Sequence, residues 1–257
     1  SKIIGIDQPC YIIAEIGVNH NGDLFLAKKL IDAAIEAGAD AVKFQKRNLE
    51  SLYRKESLEN PNSESQGFEI LLAELKEIEL TKENYFDIVN YCKERKITFL
   101  CTPWDTPSVD FLEELGTSAY KIASGDMTNF PLIKYISKTG KPMIISTGMS
   151  KIEEVKKMVS FVKTLNGQFV LLHANSTYPS PIESLNVSLI PEYKKKFDVQ
   201  IGFSDHETGI IGSLTAANMG AVIIERHITL DKKMRGLDHS SSLEPNEFKE
   251  LVTMIRL

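Results

Sequence analysis

The chain has 257 residues, 42% of them hydrophobic and 25% charged. Those proportions exclude a disordered, collagen-like or disulfide-scaffold protein, and the length allows one large domain or two small ones. Acidic residues outnumber basic ones by 35 to 30, a net charge of −5 with no basic block, so nucleic acid is not an expected partner.

In chain order, the apolar run Tyr11–Ile16 is followed by an amphipathic stretch, Leu24–Ala37. That stretch has Leu26, Leu30, Ile31, Ala34 and Ile35 on one face and Gly38 as a stop. After the run Ala41–Gln45, the segment Lys46–Ser65 is rich in Asn, Glu and Ser and reads as a long functional or mobile loop. Thr81 reads as the N-cap of a helix through Lys93. The alternation then continues: run Ile97–Thr102 and helix Ser108–Leu115, run Ala119–Ile122 and helix Leu132–Lys138, run Pro142–Ser146 and helix Lys151–Leu165. It ends with Phe169–His173 and Pro191–Phe197, Gln200–Ser204 and Ile210–Met219, Ala221–His227 and Pro245–Ile255. Continuous apolar runs suit parallel strands buried on both faces. Strand then helix, eight times in about 250 residues, predicts an α/β fold, the (β/α)8 TIM barrel, as a single domain over 1–257. A doubly wound open sheet is the alternative, and the first loop, GVNHNGD, lacks the GxGxxG spacing it would need.

Cys10, Cys92 and Cys101 make an odd count without CxxC spacing, which argues for a reducing compartment rather than a disulfide framework or zinc knuckle. No stretch has the roughly 20 apolar residues of a membrane span, and the N-terminus carries no signal-peptide pattern. A cytoplasmic protein without a membrane partner is therefore expected.

In a TIM barrel the C-terminal ends of the strands hold the chemistry. Those ends carry Glu15, Lys43 with Gln45, Thr102, Lys121 with Ser124, Ser146, His173 with Ser176 and Tyr178, Ser204 with His206, and Glu225 with His227. Asp238 lies in the loop beyond. A strand-end Ser or Thr is ordinarily a cap or turn former. Lys43 and Lys121, however, sit inside apolar strands, where a lysine needs an anionic partner or ligand. His173 reads equally as a core or a functional histidine. His206 and His227 end neighbouring strands roughly 5 Å apart, close enough to share a catalytic Zn, Mn, Co or Fe(II) ion with open positions. Glu15, placed across the barrel from them, is either a general acid/base or an ion-pair partner for Lys43. The residues alone thus lead to a metal-assisted barrel enzyme acting on a small phosphorylated or carboxylated substrate.

The segments AEIGVNHNG, AVKFQ, CTPWD, YKIASGD, IISTGM, LLHANSTYP, IGFSDH, IERHIT and LDHSSSLEP resemble, in order, the sialic acid synthase family. That family comprises N-acetylneuraminate, legionaminate and pseudaminate synthases and spore-coat polysaccharide relatives. The resemblance implies condensation of phosphoenolpyruvate with an N-acylated hexosamine in a TIM barrel, aided by a divalent metal, Mn²⁺ foremost and Mg²⁺ or Co²⁺ as alternatives. It implies that His206 and His227 are the metal ligands. Lys43, Thr102, Lys121, Ser124, Ser146, Ser176 and Ser204 would hold phosphoenolpyruvate, and Glu15 would be the acid/base residue. Gln45, Tyr178 and Asp238 would face the sugar, with Asp126 nearby. Relatives commonly carry glutamate where Asp126 stands, so the shorter carboxylate points to a different acyl or hydroxyl pattern on the sugar. Relatives also continue into a small antifreeze-like domain, expected to be absent here, and a homodimer is the expected assembly. Two competing readings are a Schiff-base aldolase using Lys43 or Lys121 and an inactive barrel with a binding role.

Overall fold

The computed structural model describes residues 3–65, 67–165 and 167–257. Eight parallel strands close into a barrel in sequence order. They are β1 (Tyr11–Gly17), β2 (Ala41–Lys46), β3 (Thr98–Pro103), β4 (Tyr120–Ile122), β5 (Met143–Ser146), β6 (Phe169–Ala174), β7 (Gln200–Asp205) and β8 (Ile223–His227). The eight predicted strands all form, with ends shifted by no more than two residues, and the open-sheet alternative is excluded by the β1–β8 pairing. The predicted helices form as well. Leu24–Ala37 is capped by Asp23, whose carboxylate accepts from the amides of Phe25 and Leu26, and it stops at Gly38, in the left-handed region at φ 89°.

Alternation along each strand divides the core in two. Ile12, Ala14, Val42 and Phe44 point outward into the layer shared with the helices, where Leu30, Ile31, Phe248 and Leu251 meet them. Tyr11, Ile13, Ala41, Leu100, Ile144, Leu172 and Ile223 point inward and form a separate apolar cluster inside the barrel. The first helix, Leu24–Ala37, packs on the last, Pro245–Arg256, which closes the ring of helices.

One prediction fails. The segment after β2 is not a structureless loop. It folds into short helices, Leu49–Leu52 and Lys55–Glu59, before a longer one at Phe68–Glu77. The apolar spacing Phe68, Leu71, Leu72, Leu75 is helical and was legible; the polar run before it masked the signal. This helix carries Leu75 to the wall of a cavity at the barrel's rim.

Candidate active site

A cavity of about 410 Å³ opens at the C-terminal end of the barrel. Of the residues expected there, Glu15, Lys43, Gln45, Thr102, Lys121, Ser124, Ser146, Ser176, Tyr178, Ser204, His206, His227 and Asp238 all line it. Asp126 does not. It lies on the tight turn Ser124–Asp126 that follows β4, and its carboxylate accepts from the Asn129 amide at 2.9 Å, bracing the turn instead of facing the cavity.

At the floor lies a network of four buried charges. Lys43 Nζ sits 3.0 Å from Glu15 Oε2 and 3.5 Å from Glu225 Oε1, and it donates to Thr102 Oγ1 at 3.2 Å. Lys121 Nζ donates to the same Glu225 oxygen at 3.0 Å, and Ser204 Oγ donates to it at 3.1 Å. Glu225 is thus the hub joining both lysines; the sequence placed it at a strand end beside His227 but assigned it no role. Its place two residues before His227, on the inward face of an apolar strand, was the available signal.

Register explains the meeting. Glu15 stands beside Lys43 on one side and beside His227 on the other, so it is a neighbour of the histidine pair and not across the barrel from it. Ser204 pairs with Glu225 and Gln45 with Thr102. The residues between them face outward. Asp205 and Arg226, both inaccessible to solvent, form an ion pair of 2.8 Å behind β7 and β8, and Arg226 also donates to the Glu207 carbonyl at 2.7 Å. That pair fixes the two strands whose inward faces carry His206 and His227.

The charges are unequally poised. Burial alone would raise the Glu225 carboxyl, but Lys121 and Lys43 outweigh it and bring it down to about 2. Burial raises Glu15 to about 7, Glu225 adding to the effect while Lys43 and Lys121 oppose it. Burial likewise lowers Lys121 to about 8, whereas Lys43, held by Glu15 and Glu225 against its own burial, is raised. Near neutral pH the floor therefore contains a carboxylate that stays ionised, an ammonium that stays charged, and a second carboxyl able to take up or release a proton.

Above the floor, the rings of His206 and His227 lie 5.6 Å apart between centroids. His206 Nδ1 sits 2.6 Å from the Asn175 carbonyl, which assigns the proton there and leaves Nε2 as the lone-pair nitrogen, 2.9 Å from the Tyr178 hydroxyl. His227 Nδ1 is buried without a hydrogen-bond partner, 3.7 Å from Asp238 Oδ2. Burial pushes His206 down to about 4. It drives His227 well below the usual imidazole range, with the charges of His206 and Lys43 adding to the effect. Two neutral, adjacent imidazoles with open space beside them could hold a divalent cation that keeps free positions. Among the described residues no group of three or more His, Cys, Asp or Glu forms a closed metal centre.

His173 resolves to the core. Its Nε2 lies 2.8 Å from the Leu185 carbonyl and its ring stacks on Phe203, away from the cavity. Among the lining residues that the sequence did not single out are Arg47 and Trp104. Gly148 donates its amide to Ser124 Oγ at 3.1 Å.

The chain matches the family model described as the NeuB family over residues 30–257. It is 44% identical to N-acetylneuraminate-9-phosphate synthase of Homo sapiens, a similarity covering 99% of this chain and 71% of that protein. Against N,N'-diacetyllegionaminic acid synthase of Campylobacter jejuni it is 43% identical, over 95% of this chain and 75% of that protein. Among solved structures, it superposes on N-acetylneuraminic acid synthetase of Leptospira borgpetersenii in complex with citrate. The TM-score is 0.90 at 36% identity, over 98% of this chain and 85% of that one.

Proposed function

This chain belongs to the NeuB family, and on that premise we propose that it is a phosphoenolpyruvate-dependent synthase. It joins phosphoenolpyruvate to an open-chain N-acylated hexosamine of the N-acetylmannosamine type, yielding a nonulosonic, sialic-type acid and inorganic phosphate. The observation that carries this reading is the convergence of Lys43, Lys121, Glu15 and Glu225 beneath two neutral histidines in one cavity.

Lys43 and Lys121 supply the positive charge for a phosphate and a carboxylate, and the hydroxyls of Thr102, Ser124, Ser146, Ser176 and Ser204 complete the anion site. The Ser146 hydroxyl, buried without a partner, is one donor open to a ligand. Gln45, Tyr178 and Asp238 position the sugar. A divalent cation, Mn²⁺ foremost, would be held by His206 and His227 and would serve as a Lewis acid toward the sugar's aldehyde. Phosphoenolpyruvate C3 bonds to the aldehyde carbon, whose oxygen gains a proton to become a hydroxyl. Water adds at C2, the bond between C2 and the phosphate ester oxygen breaks, and phosphate leaves as the 2-keto group forms. Glu15, with its pKa near 7, takes the proton from that water.

The test is inorganic phosphate release from phosphoenolpyruvate with Mn²⁺ and a panel of N-acylated mannosamine-type sugars. Release that needs sugar, stops with EDTA and is lost in His206→Ala supports the reading; release from no sugar overturns it. Lys121, lowered toward an amine that could form an imine, favours the aldolase as a second reading, and borohydride trapping with pyruvate separates the two.

No helix among the described residues is long and apolar enough to cross a membrane. The free thiols of Cys10, Cys92 and Cys101 suit the cytoplasm. A homodimer is the assembly we expect, read by sedimentation. Similarity does not choose the acceptor: relatives named for a 9-phosphate product and for an unphosphorylated one stand at 44% and 43% identity.

A further inference from the structure

Beyond the last strand, residues 229–242 leave the barrel and return to it, their two ends closed by the parallel bridge between Ile228 and Leu243. Leu237 and Asp238 stand in this loop and line the rim cavity. The Asp238 carboxylate accepts no hydrogen bond among the described residues, so the path of its backbone sets where it points. That path is fixed from the opposite end of the chain, by the loop after β1. Asn19 secures the base. Its amide donates to the Ile228 carbonyl at 2.9 Å and to Ser242 Oγ at 2.8 Å, and Ser242 Oγ donates in turn to the Asp238 carbonyl at 2.7 Å. Asn21 secures the tip. Its amide nitrogen donates to the Arg235 carbonyl at 3.0 Å, which turns Oδ1 toward His239 Nε2 at 3.2 Å. His239 Nε2 therefore carries the proton, and its Nδ1, 2.7 Å from Thr229 Oγ1, accepts from that hydroxyl. Between the two contacts lies Gly236, where a Cβ would come within 2.7 Å of the His239 ring and 3.1 Å of Asn21 Oδ1. Asn21 thus grips the loop on both sides of Asp238.

We infer that Asn21 is a positioning residue for the acceptor, acting through the 229–242 loop to hold Asp238 at the cavity wall. This deepens the synthase reading and rests on it for what Asp238 meets. The backbone at Asn21 is in the left-handed region, at φ 47°, which asparagine tolerates and glycine adopts freely. Asn21→Gly therefore removes the two side-chain bonds without straining the chain.

That variant is expected to raise the KM for the sugar by about tenfold and to leave the KM for phosphoenolpyruvate within about twofold. Asn21→Asp, which keeps the acceptor for His239 and loses the donor to Arg235, should recover part of the loss. Asn21→Gly is then repeated on Asp238→Asn. Because Asn21 works through Asp238, its removal there should add less than about twofold, and an equal loss on both backgrounds overturns the inference. Hydrogen exchange gives a readout that needs no reaction. The amides of Thr229, Ser241 and Ser242, each bonded within the loop or at its base, should exchange about tenfold faster in Asn21→Gly, with the barrel strands as in the parent chain. Unchanged exchange in the loop also overturns it. If the parent chain releases no phosphate with any sugar, the synthase reading falls, while faster exchange still leaves Asp238 held by Asn21. If phosphate is released and the KM for the sugar does not move in Asn21→Gly, the synthase stands and the positioning role falls.

Discussion

At the N-terminal end of the barrel, Ile13, Ala41, Leu100, Ile144 and Ile223 fill the interior. Two residues further along the same strands, and so on the same inward face, stand Glu15, Lys43, Thr102, Ser146 and Glu225. One layer separates an apolar plug from a charged cluster, and the two layers do different work. The plug contributes burial to stability and seals the floor against water. The charges above it are strengthened by that dry floor and depend on one another, since a buried ion left alone costs several kcal/mol. The comparison teaches that damage to the upper layer should appear first in the reaction, and damage to the lower layer first in stability.

The sharpest way to break that division is Glu225→Ala. Both lysines lose the carboxylate they share, and Lys121, already lowered to about 8, loses its ion-pair partner and becomes neutral at pH 7. Phosphate release should fall by about 10²–10³-fold, the scale of removing a preorganised charge-stabilising group. Because Lys121 can shed its proton, the stability loss should stay below the 3–5 kcal/mol of an ion stranded in the interior. An activity that survives would show that the hub is only structural.

Leu172→Ala examines the layer below. Leu172 is inaccessible to solvent and belongs to the interior apolar cluster. Truncation should cost about 2–5 kcal/mol by chemical denaturation, with kcat close to that of the parent chain. A kcat that drops with stability would mean the plug also positions the charged layer.

The loop after β1 offers a pH-dependent comparison. Burial lowers His20 to about 4, with the positive charge of Arg47 adding to the effect. Below its ordinary pKa near 6.5 the unfolded chain takes up a proton that the folded chain refuses. Stability is therefore full above that pH and declines as pH falls toward 4, by up to about 1.4 kcal/mol per unit for this group. Urea midpoints at pH 7.5, 6 and 5 should fall less steeply in His20→Gln, and equal slopes would remove His20 from the account.

The upper layer was also the more legible one in the sequence. Lys43 and Lys121 stand out because an apolar strand has no ordinary use for a lysine, and His206 and His227 because their spacing from strand ends aims them inward. Other motif residues of the same types turned out to be braces. Asn19 donates to the Ile228 carbonyl at 2.9 Å and to Ser242 at 2.8 Å, His20 stacks on Phe44, and His239 lies 2.7 Å from the Thr229 hydroxyl. Residue type and strand position do not separate a ligand from a brace; the closing loop that meets Asn19 lies more than 200 residues away in the chain. Arg47 was hidden for a related reason, since it opens a polar stretch and only the Trp104 ring, arriving from β3, marks it out.

Gly148 gives the smallest and most local effect. Its backbone is not in the left-handed region, so alanine there adds no conformational strain. A Cβ at this position would instead collide with Ser176 Oγ and come within 2.7 Å of Ser124 Oγ. Both hydroxyls line the cavity and must rotate away, and the amide that now donates to Ser124 loses its partner. Gly148→Ala should therefore raise the KM for phosphoenolpyruvate by about tenfold, the equivalent of one net hydrogen bond near 1.4 kcal/mol. Steady-state kinetics beside a thermal melt decide it. A shifted KM with an unmoved Tm places the two serines on the substrate, whereas a lowered Tm with an unchanged KM makes them part of the scaffold.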